Sequence, residues 1–217
     1  MSNQPNHLLR DYGLTIGLAI LVAFLIRFFL IEAYRIPSAS MKPTLEAGDT
    51  IFASKLPFGM RWPGDLEPFR KGRMPAYGEV VVYTQVKTEG VRDAIKRVVG
   101  LPGDRIELRN GWVWINGKSL AEFAPKNQVC GKERVHGLSY PVCREPPIAE
   151  DLPAQTVPTH SVFVIGDSRG AESWSMIPVA WVKAKALWIW LSVDPDRGIR
   201  PSPFSRIRFE RMLQEIH

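Results

Sequence analysis

Serines at 38, 40 and 168 and lysines at 55 and 96 stand where their neighbours and spacing suit covalent chemistry. Gly166-Asp167-Ser168-Arg169-Gly170 fits the G-x-S-x-G nucleophile elbow and follows a strand-like run, as that motif requires. An elbow serine also needs an acid and then a histidine downstream in an alternating α/β fold. Here Asp194 and Asp196 follow it, but the only later histidine is the last residue, His217. A penicillin-binding-type S-x-x-K fails as well, because Ala39 and Phe52 stand three residues before Lys42 and Lys55. A serine paired with a lysine remains, and that chemistry needs no histidine. A lysine buried among apolar side chains loses its charge and can take the proton of a serine hydroxyl. A free lysine titrates near 10.4, so a base that is substantially neutral near pH 8 needs a shift of roughly 2 units, or about 3 kcal/mol. In Ala94-Ile95-Lys96-Arg97-Val98-Val99, Lys96 shares a strand face with Ala94 and Val98. Lys55 shares one with Ile51 and Ala53, and periodicity alone leaves the two nearly equal. The two cysteines and four scattered histidines form no cluster with zinc-ligand spacing, so neither a metal nor a cofactor is expected.

The elements that must hold these residues follow from patterning. From Tyr12 to Ile31 the chain is apolar except for Arg27, and about 20 residues at 1.5 Å rise span a hydrocarbon core. This predicts one transmembrane helix. A cleaved secretory signal fits less well, since the run exceeds a signal's apolar region and Glu32-Ala33-Tyr34-Arg35 makes a poor cleavage site. Arg27 can snorkel to the interface. Seventeen of the 18 prolines lie after residue 32, which argues against a helical bundle there. Runs at 50–56, 79–85, 94–100, 105–109, 112–115, 161–165 and 184–192 are rich in Val, Ile and aromatics and bounded by Gly or Pro. Asn110-Gly111 and Asn116-Gly117 predict tight hairpin turns. The expected fold is mostly β: an antiparallel barrel or sandwich with an irregular, Pro-rich excursion at about 121–159, preceded by the helix. The last residues place Phe209, Met212, Leu213 and Ile216 on one helical face, although a packed or frayed terminal turn fits them better.

The whole chain carries 28 Lys and Arg against 22 Asp and Glu, a net charge of +6. Beside a membrane such a domain favours anionic lipid. Nucleic acid is not expected, because the basic residues are scattered singly and no base-stacking motif accompanies them. Counting Arg10 on one side of the helix against Arg35, Lys42 and Lys55 on the other would keep the large domain in the cytoplasm. Long domains translocate largely regardless of charge, and two cysteines 13 positions apart suit an oxidising compartment, so composition leaves the orientation open.

Three segments in order resemble the type I signal peptidases, membrane-bound Ser-Lys proteases of exported proteins. Pro37-Ser38-Ala39-Ser40-Met41-Lys42-Pro43-Thr44-Leu45 resembles the family's nucleophile box, Gly48-Asp49-Thr50-Ile51 to Lys55 its next box, and Lys96-Arg97-Val98-Val99-Gly100-Leu101-Pro102-Gly103-Asp104 its general-base box. The resemblance implies Ser40 as nucleophile and Lys96 as base, with the Ser38 hydroxyl and the Ser40 N–H as oxyanion donors. Lys55 is not the base in this family. A fourth box is matched with departures by Gly166-Asp167-Ser168-Arg169-Gly170-Ala171-Glu172-Ser173-Trp174, where Gly170 stands in place of the serine that in many members bonds the lysine. That resemblance pairs Asp167 with Arg97 in support of the site, with Arg169 beside them, and makes the apparent elbow a structural loop.

Apolar residues beside the two catalytic candidates, Ile36, Pro37, Met41, Leu45 and Ile95, suit shallow pockets that admit alanine, and the resemblance adds a wall at Tyr34. A substrate segment with an A-x-A-like site is expected to lie extended beside Asp93, Ala94 and Ile95 and the Ile36-Pro37-Ser38 stretch. Phe58, Met60 and Trp62 either form an apolar lip or enter the β core. The implied layout is a cytoplasmic tail at 1–11, an anchor at 12–32 in the inner membrane and a periplasmic catalytic domain at 33–217. In that compartment Cys130 and Cys143 are expected to form a disulfide. Signal peptides and membrane lipid are the implied partners. The other readings the sequence admits are a membrane-anchored binding module without catalysis, and a peptidase restricted to one secretion apparatus.

Overall fold

The computed structural model describes residues 6–62, 65, 68–88, 90–123, 129–144, 146–170, 173–196 and 203–217, without the side chains of 6–10, 25, 26, 28, 29, 87, 123, 203 and 204. Residues 1–5 of the expected tail, 124–128 and 145 of the excursion, and Ala171 and Glu172 of the fourth box lie outside the described residues. Helix α1 spans Asn6–Phe29. Tyr12, Leu14, Ile16, Leu18, Ile20 and Phe24 on it are all more than half exposed. Among the described residues no helix is long and apolar enough to cross a membrane. The expected helical run to 32 stops early, because Ile31–Arg35 is a strand whose backbone groups pair with Asp49–Ser54.

The rest is mostly β. One antiparallel sheet runs in the order Ile31–Arg35, Asp49–Ser54, Val182–Ser192, Val80–Lys87, Gly90–Gly100, Ser161–Ile165, Trp174–Pro178. Its first and last strands do not pair with each other, so the expected barrel is corrected to an open sheet. Its strands alternate Val, Ile and Ala inward, which builds one core cluster around Met41, Leu45, Ile51 and Val82 and another around Val81, Val98 and Val164. A third cluster unites this sheet with a smaller one, Leu152–Thr156, Arg105–Arg109, Trp112–Ile115 and Lys118–Ser119. The smaller sheet's two turns hold Asn110, Gly111, Asn116 and Gly117 at positive φ, the conformation those pairs were expected to supply.

The excursion is less irregular than its prolines suggest. Cys130–Val135 and Leu138–Cys143 form a regular hairpin that turns at His136-Gly137, and Cys130 and Cys143 face each other across it in a disulfide. The C-terminal residues form short 3-10 turns, not a helix with one apolar face. Ile216 enters the core, while Phe209 and Leu213 are exposed.

Candidate active site

Ser40 stands at the head of a turn following the edge strand Ile31–Arg35. Its hydroxyl lies 3.2 Å from that of Ser38. Its carbonyl accepts a 3.1 Å hydrogen bond from the Ser168 N–H. Gly166 packs so closely behind it that a Cβ there would sit 2.3 Å from the Ser40 oxygen. The loop carrying the apparent elbow thus serves as a backstop for the Ser40 turn. Ser168 is itself buried and does not line the cleft.

Lys96 is carried by Gly90–Gly100, directly opposite Val81 in the neighbouring strand. It is 6% exposed, an environment hard for a lysine to occupy as a solvated cation. Its Nζ donates to the Ser173 carbonyl at 2.6 Å, and that carbonyl also accepts the Gly166 N–H at 2.7 Å. Where many relatives are expected to use a serine hydroxyl, this chain presents a backbone oxygen, fixed by the same glycine that backs Ser40.

Arg97 alternates to the other face and is fully buried. It makes two bonds to Asp167, at 2.9 and 2.7 Å, and lies 4.2 Å from the centre of the Tyr140 ring. Burial alone would lower the Arg97 pKa, but the Asp167 charge and hydrogen bonds outweigh it and raise it, so the guanidinium stays charged. Thr44, at the end of the Ser40 turn, donates its hydroxyl to Asp167. Arg169 makes a second buried pair, with Glu133, at 2.7 and 2.6 Å. Together the two pairs tie the 166–170 loop to the strands on both sides, and removing one partner of such a pair costs about 3–5 kcal/mol.

Ser40 and Lys96 meet at one cleft of about 340 Å³. Also lining it are Tyr34, Ile36, Pro37, Ser38, Asp93, Ala94 and Ile95, all named from sequence. Met41 and Leu45 do not line it. Both are fully buried in the core cluster that also holds Ile36, so the expectation that they touch substrate is corrected to a packing role. Lys55 does not line it either, being paired with Glu32 at 2.9 Å. Phe58 enters the core, whereas Trp62 is exposed and packs on Phe69. The Tyr34 hydroxyl donates to Glu32 at 2.8 Å; burial, followed by the Glu32 charge, pushes its pKa far above the ordinary tyrosine value and keeps it neutral. Sequence reading missed Arg35, Val82, Gln85 and Arg92 in the lining. Val82 and Gln85 are the cross-strand partners of Ile95 and Arg92, so the hairpin register was the signal that would have found them.

The cleft has two open strand edges. Ile31–Arg35 pairs on one side only, and Gly90–Gly100 meets Ser161–Ile165 only from Arg97 onward, which leaves residues 90–96 unpaired along that edge among the described residues. An extended peptide laid between them would find backbone partners on both sides.

Two serines and a buried lysine at one cleft of a mostly β domain are groups that can carry serine-hydrolase chemistry without histidine. Comparison with known proteins narrows it: the family model "Signal peptidase, peptidase S26" matches residues 9–191, and the chain belongs to that family. Signal peptidase I of Pseudomonas aeruginosa is 30% identical over 95% of this chain and 80% of its own length. That of Pseudomonas fluorescens is 29% identical with the same coverage. A solved signal peptidase I of Enterococcus faecalis is 22% identical, covering 52% of this chain and 97% of its own, with a TM-score of 0.33, too low to carry an argument about the fold. The protein is a signal-peptide-processing serine protease of the bacterial type I kind.

Proposed function

We propose that the protein is a membrane-anchored Ser-Lys endopeptidase that cleaves exported preproteins after an A-x-A-like site. The observation that carries this reading is the cleft itself, which gathers Ser40, Ser38 and the buried Lys96 between two open strand edges. Neutral Lys96 takes the Ser40 proton as the hydroxyl oxygen attacks the scissile carbonyl. The Ser38 hydroxyl and the Ser40 N–H hold the oxyanion. The resulting Lys96 ammonium protonates the leaving amine, and water, deprotonated by the regenerated amine, releases the acyl group from Ser40. The Ser173 carbonyl and the Arg97–Asp167 pair act on the reaction only by positioning Lys96 and the nucleophile turn. Ile36, Pro37, Ala94 and Ile95 leave shallow apolar space that favours small side chains next to the bond.

The sequence run from Tyr12 to Ile31 and the exposure of the apolar side chains along α1 support its role as the anchor, in the inner membrane with the catalytic domain on the periplasmic side. Membrane lipid would also meet two aromatic clusters, the exposed Trp188 and Trp190 packed on half-buried Phe52, and the exposed Trp62 with Phe69. The disulfide suits the same compartment.

The test is cleavage of a preprotein with an Ala-x-Ala site by the detergent-solubilised protein, with product masses locating the bond. The expected result is one cut after the second alanine, reduced at least about 100-fold when that alanine is replaced by leucine. Cleavage elsewhere, or indifference to leucine, would contradict the reading.

A further inference from the structure

We infer that the membrane-side mouth of the cleft reads charge: Arg35 and Arg92 select preproteins that carry a carboxylate four to five residues before the scissile bond. The inference rests on the Ser40–Lys96 reading above. Arg92 lies four residues before Lys96 on the same strand, about 13 Å at 3.3 Å per residue. Arg35 lies five residues before Ser40 along the facing edge, and both arginines line the cleft.

The direction of the substrate follows from the same geometry. A signal peptide's apolar segment precedes its cleavage site. Helix α1, proposed to share the membrane with that segment, ends at Phe29, two residues before Ile31–Arg35 begins. Upstream substrate residues therefore pass Arg35 and Arg92 before the scissile bond reaches Ser40. Extended chains rise at the same rate as the strands beside them, so the fourth residue before the bond lies at Arg92, and Arg35, which closes the facing edge strand, meets that residue or the one before it.

The carboxylates at this mouth are already engaged. Glu32 is bonded to Lys55 and to the Tyr34 hydroxyl, and Asp93 is bonded to Lys183 at 2.6 Å. Arg92 donates to the Gln85 side-chain oxygen at 3.3 Å, a neutral partner. Among the described residues neither arginine has a carboxylate within ion-pair distance. Among the described residues Arg35, Lys55, Arg92 and Lys183, with Arg61 beside Asp93, face the carboxylates Glu32 and Asp93, which leaves positive charge in excess beside the substrate path. A substrate carboxylate there gains two guanidinium neighbours, and a substrate lysine is repelled by them. Partial exposure keeps the effect modest and makes it sensitive to salt.

The test compares three preproteins that differ only in carrying Glu, Gln or Lys at both positions, cleaved by the full chain in nonionic detergent. The readout is the Glu-to-Lys ratio of kcat/KM within each variant, which a general loss of folding or activity does not imitate. At low salt the wild type is expected to favour Glu about tenfold. The ratio should fall to about threefold in Arg35→Ala or Arg92→Ala, survive in Arg92→Lys, invert in Arg92→Glu and collapse toward one at high salt. Cleavage of all three at equal rates by the wild type would overturn the inference and leave the peptidase reading intact, as would a ratio indifferent to both arginines. A discrimination that required anionic lipid would place the charge reading on the membrane instead and also overturn it. Failure to cleave any of the three would remove the peptidase reading itself.

Discussion

At the scale of single residues, Gly166 is a glycine because the Ser40 carbonyl leaves no room for a side chain. An added methyl group would meet backbone, which cannot rotate away as a side-chain tip can. Gly166→Ala is therefore expected to displace the Ser40 turn and lower kcat at least about tenfold, more than its effect on KM, since sub-ångström placement of the nucleophile governs the chemical step. Steady-state kinetics beside a melting curve checks this, and an unchanged kcat would mean that the loop is not the backstop described. Ser38→Ala should cost about 10²–10³ in kcat by removing one oxyanion donor, with Ser38→Thr restoring much of it. From the residues alone Lys96 and Lys55 stood nearly equal; the resemblance of the surrounding boxes singled out Ser40 and Lys96, and the fold brings these two to one cleft. The Ser173 carbonyl was not legible in the sequence, since every residue has one and only the folded loop decides which faces the lysine.

Among the elements, the turn at 46–49 fastens the C-terminal segment to the chain that follows Ser40. Asp49 accepts from Arg211 and Ser192 and from the Glu46 N–H. Burial alone would raise its pKa, but the bonds from Arg211, Glu46 and Ser192 outweigh it and hold it below the ordinary carboxylate range. A carboxyl lowered in the folded state contributes stability that is present above its unfolded pKa and is lost as pH falls through the folded one. The melting temperature is thus expected to fall on acidification below about pH 4, and Asp49→Asn to lower it at neutral pH while flattening that fall. An equally steep acid loss in the variant would assign it to other carboxylates. The same scale explains the hairpin that sequence reading took for irregular chain. In Cys130–Val135 the buried positions alternate correctly, but they are Gly131, Glu133 and Val135, and Glu133 is buried only because Arg169 meets it from a distant loop. A strand whose inward residues are a glycine and a carboxylate has no apolar period to read.

For the molecule as a whole, the site depends on strands far apart in sequence and in sheet order: Ile31–Arg35 and Gly90–Gly100 have three strands between them, yet both line one cleft, so the sheet must curl to bring them together. Local patterning identified most of those strands but carries no information on curl, which is why a barrel or sandwich was expected and the large sheet is found open. The anchor proposal is likewise a property of the whole. Placing Asp at both Leu18 and Leu21 should cost about 5–7 kcal/mol of insertion and release the protein from membranes in a carbonate extraction, whereas the unaltered chain stays in the pellet. Equal retention of both would contradict a spanning α1.

The central claim is that Ser40 and Lys96, and not the elbow-like Ser168, carry the reaction. The most direct measurement is cleavage of an Ala-x-Ala preprotein at pH 8 by the wild type and by Ser40→Ala, Lys96→Ala and Ser168→Ala, each confirmed folded by its melting curve. The account predicts that the first two variants lose at least about 10⁴-fold in kcat while Ser168→Ala, whose N–H and not its hydroxyl supports Ser40, retains most of its activity. A Ser168→Ala protein that is folded and inert, beside an active Ser40→Ala, would contradict it.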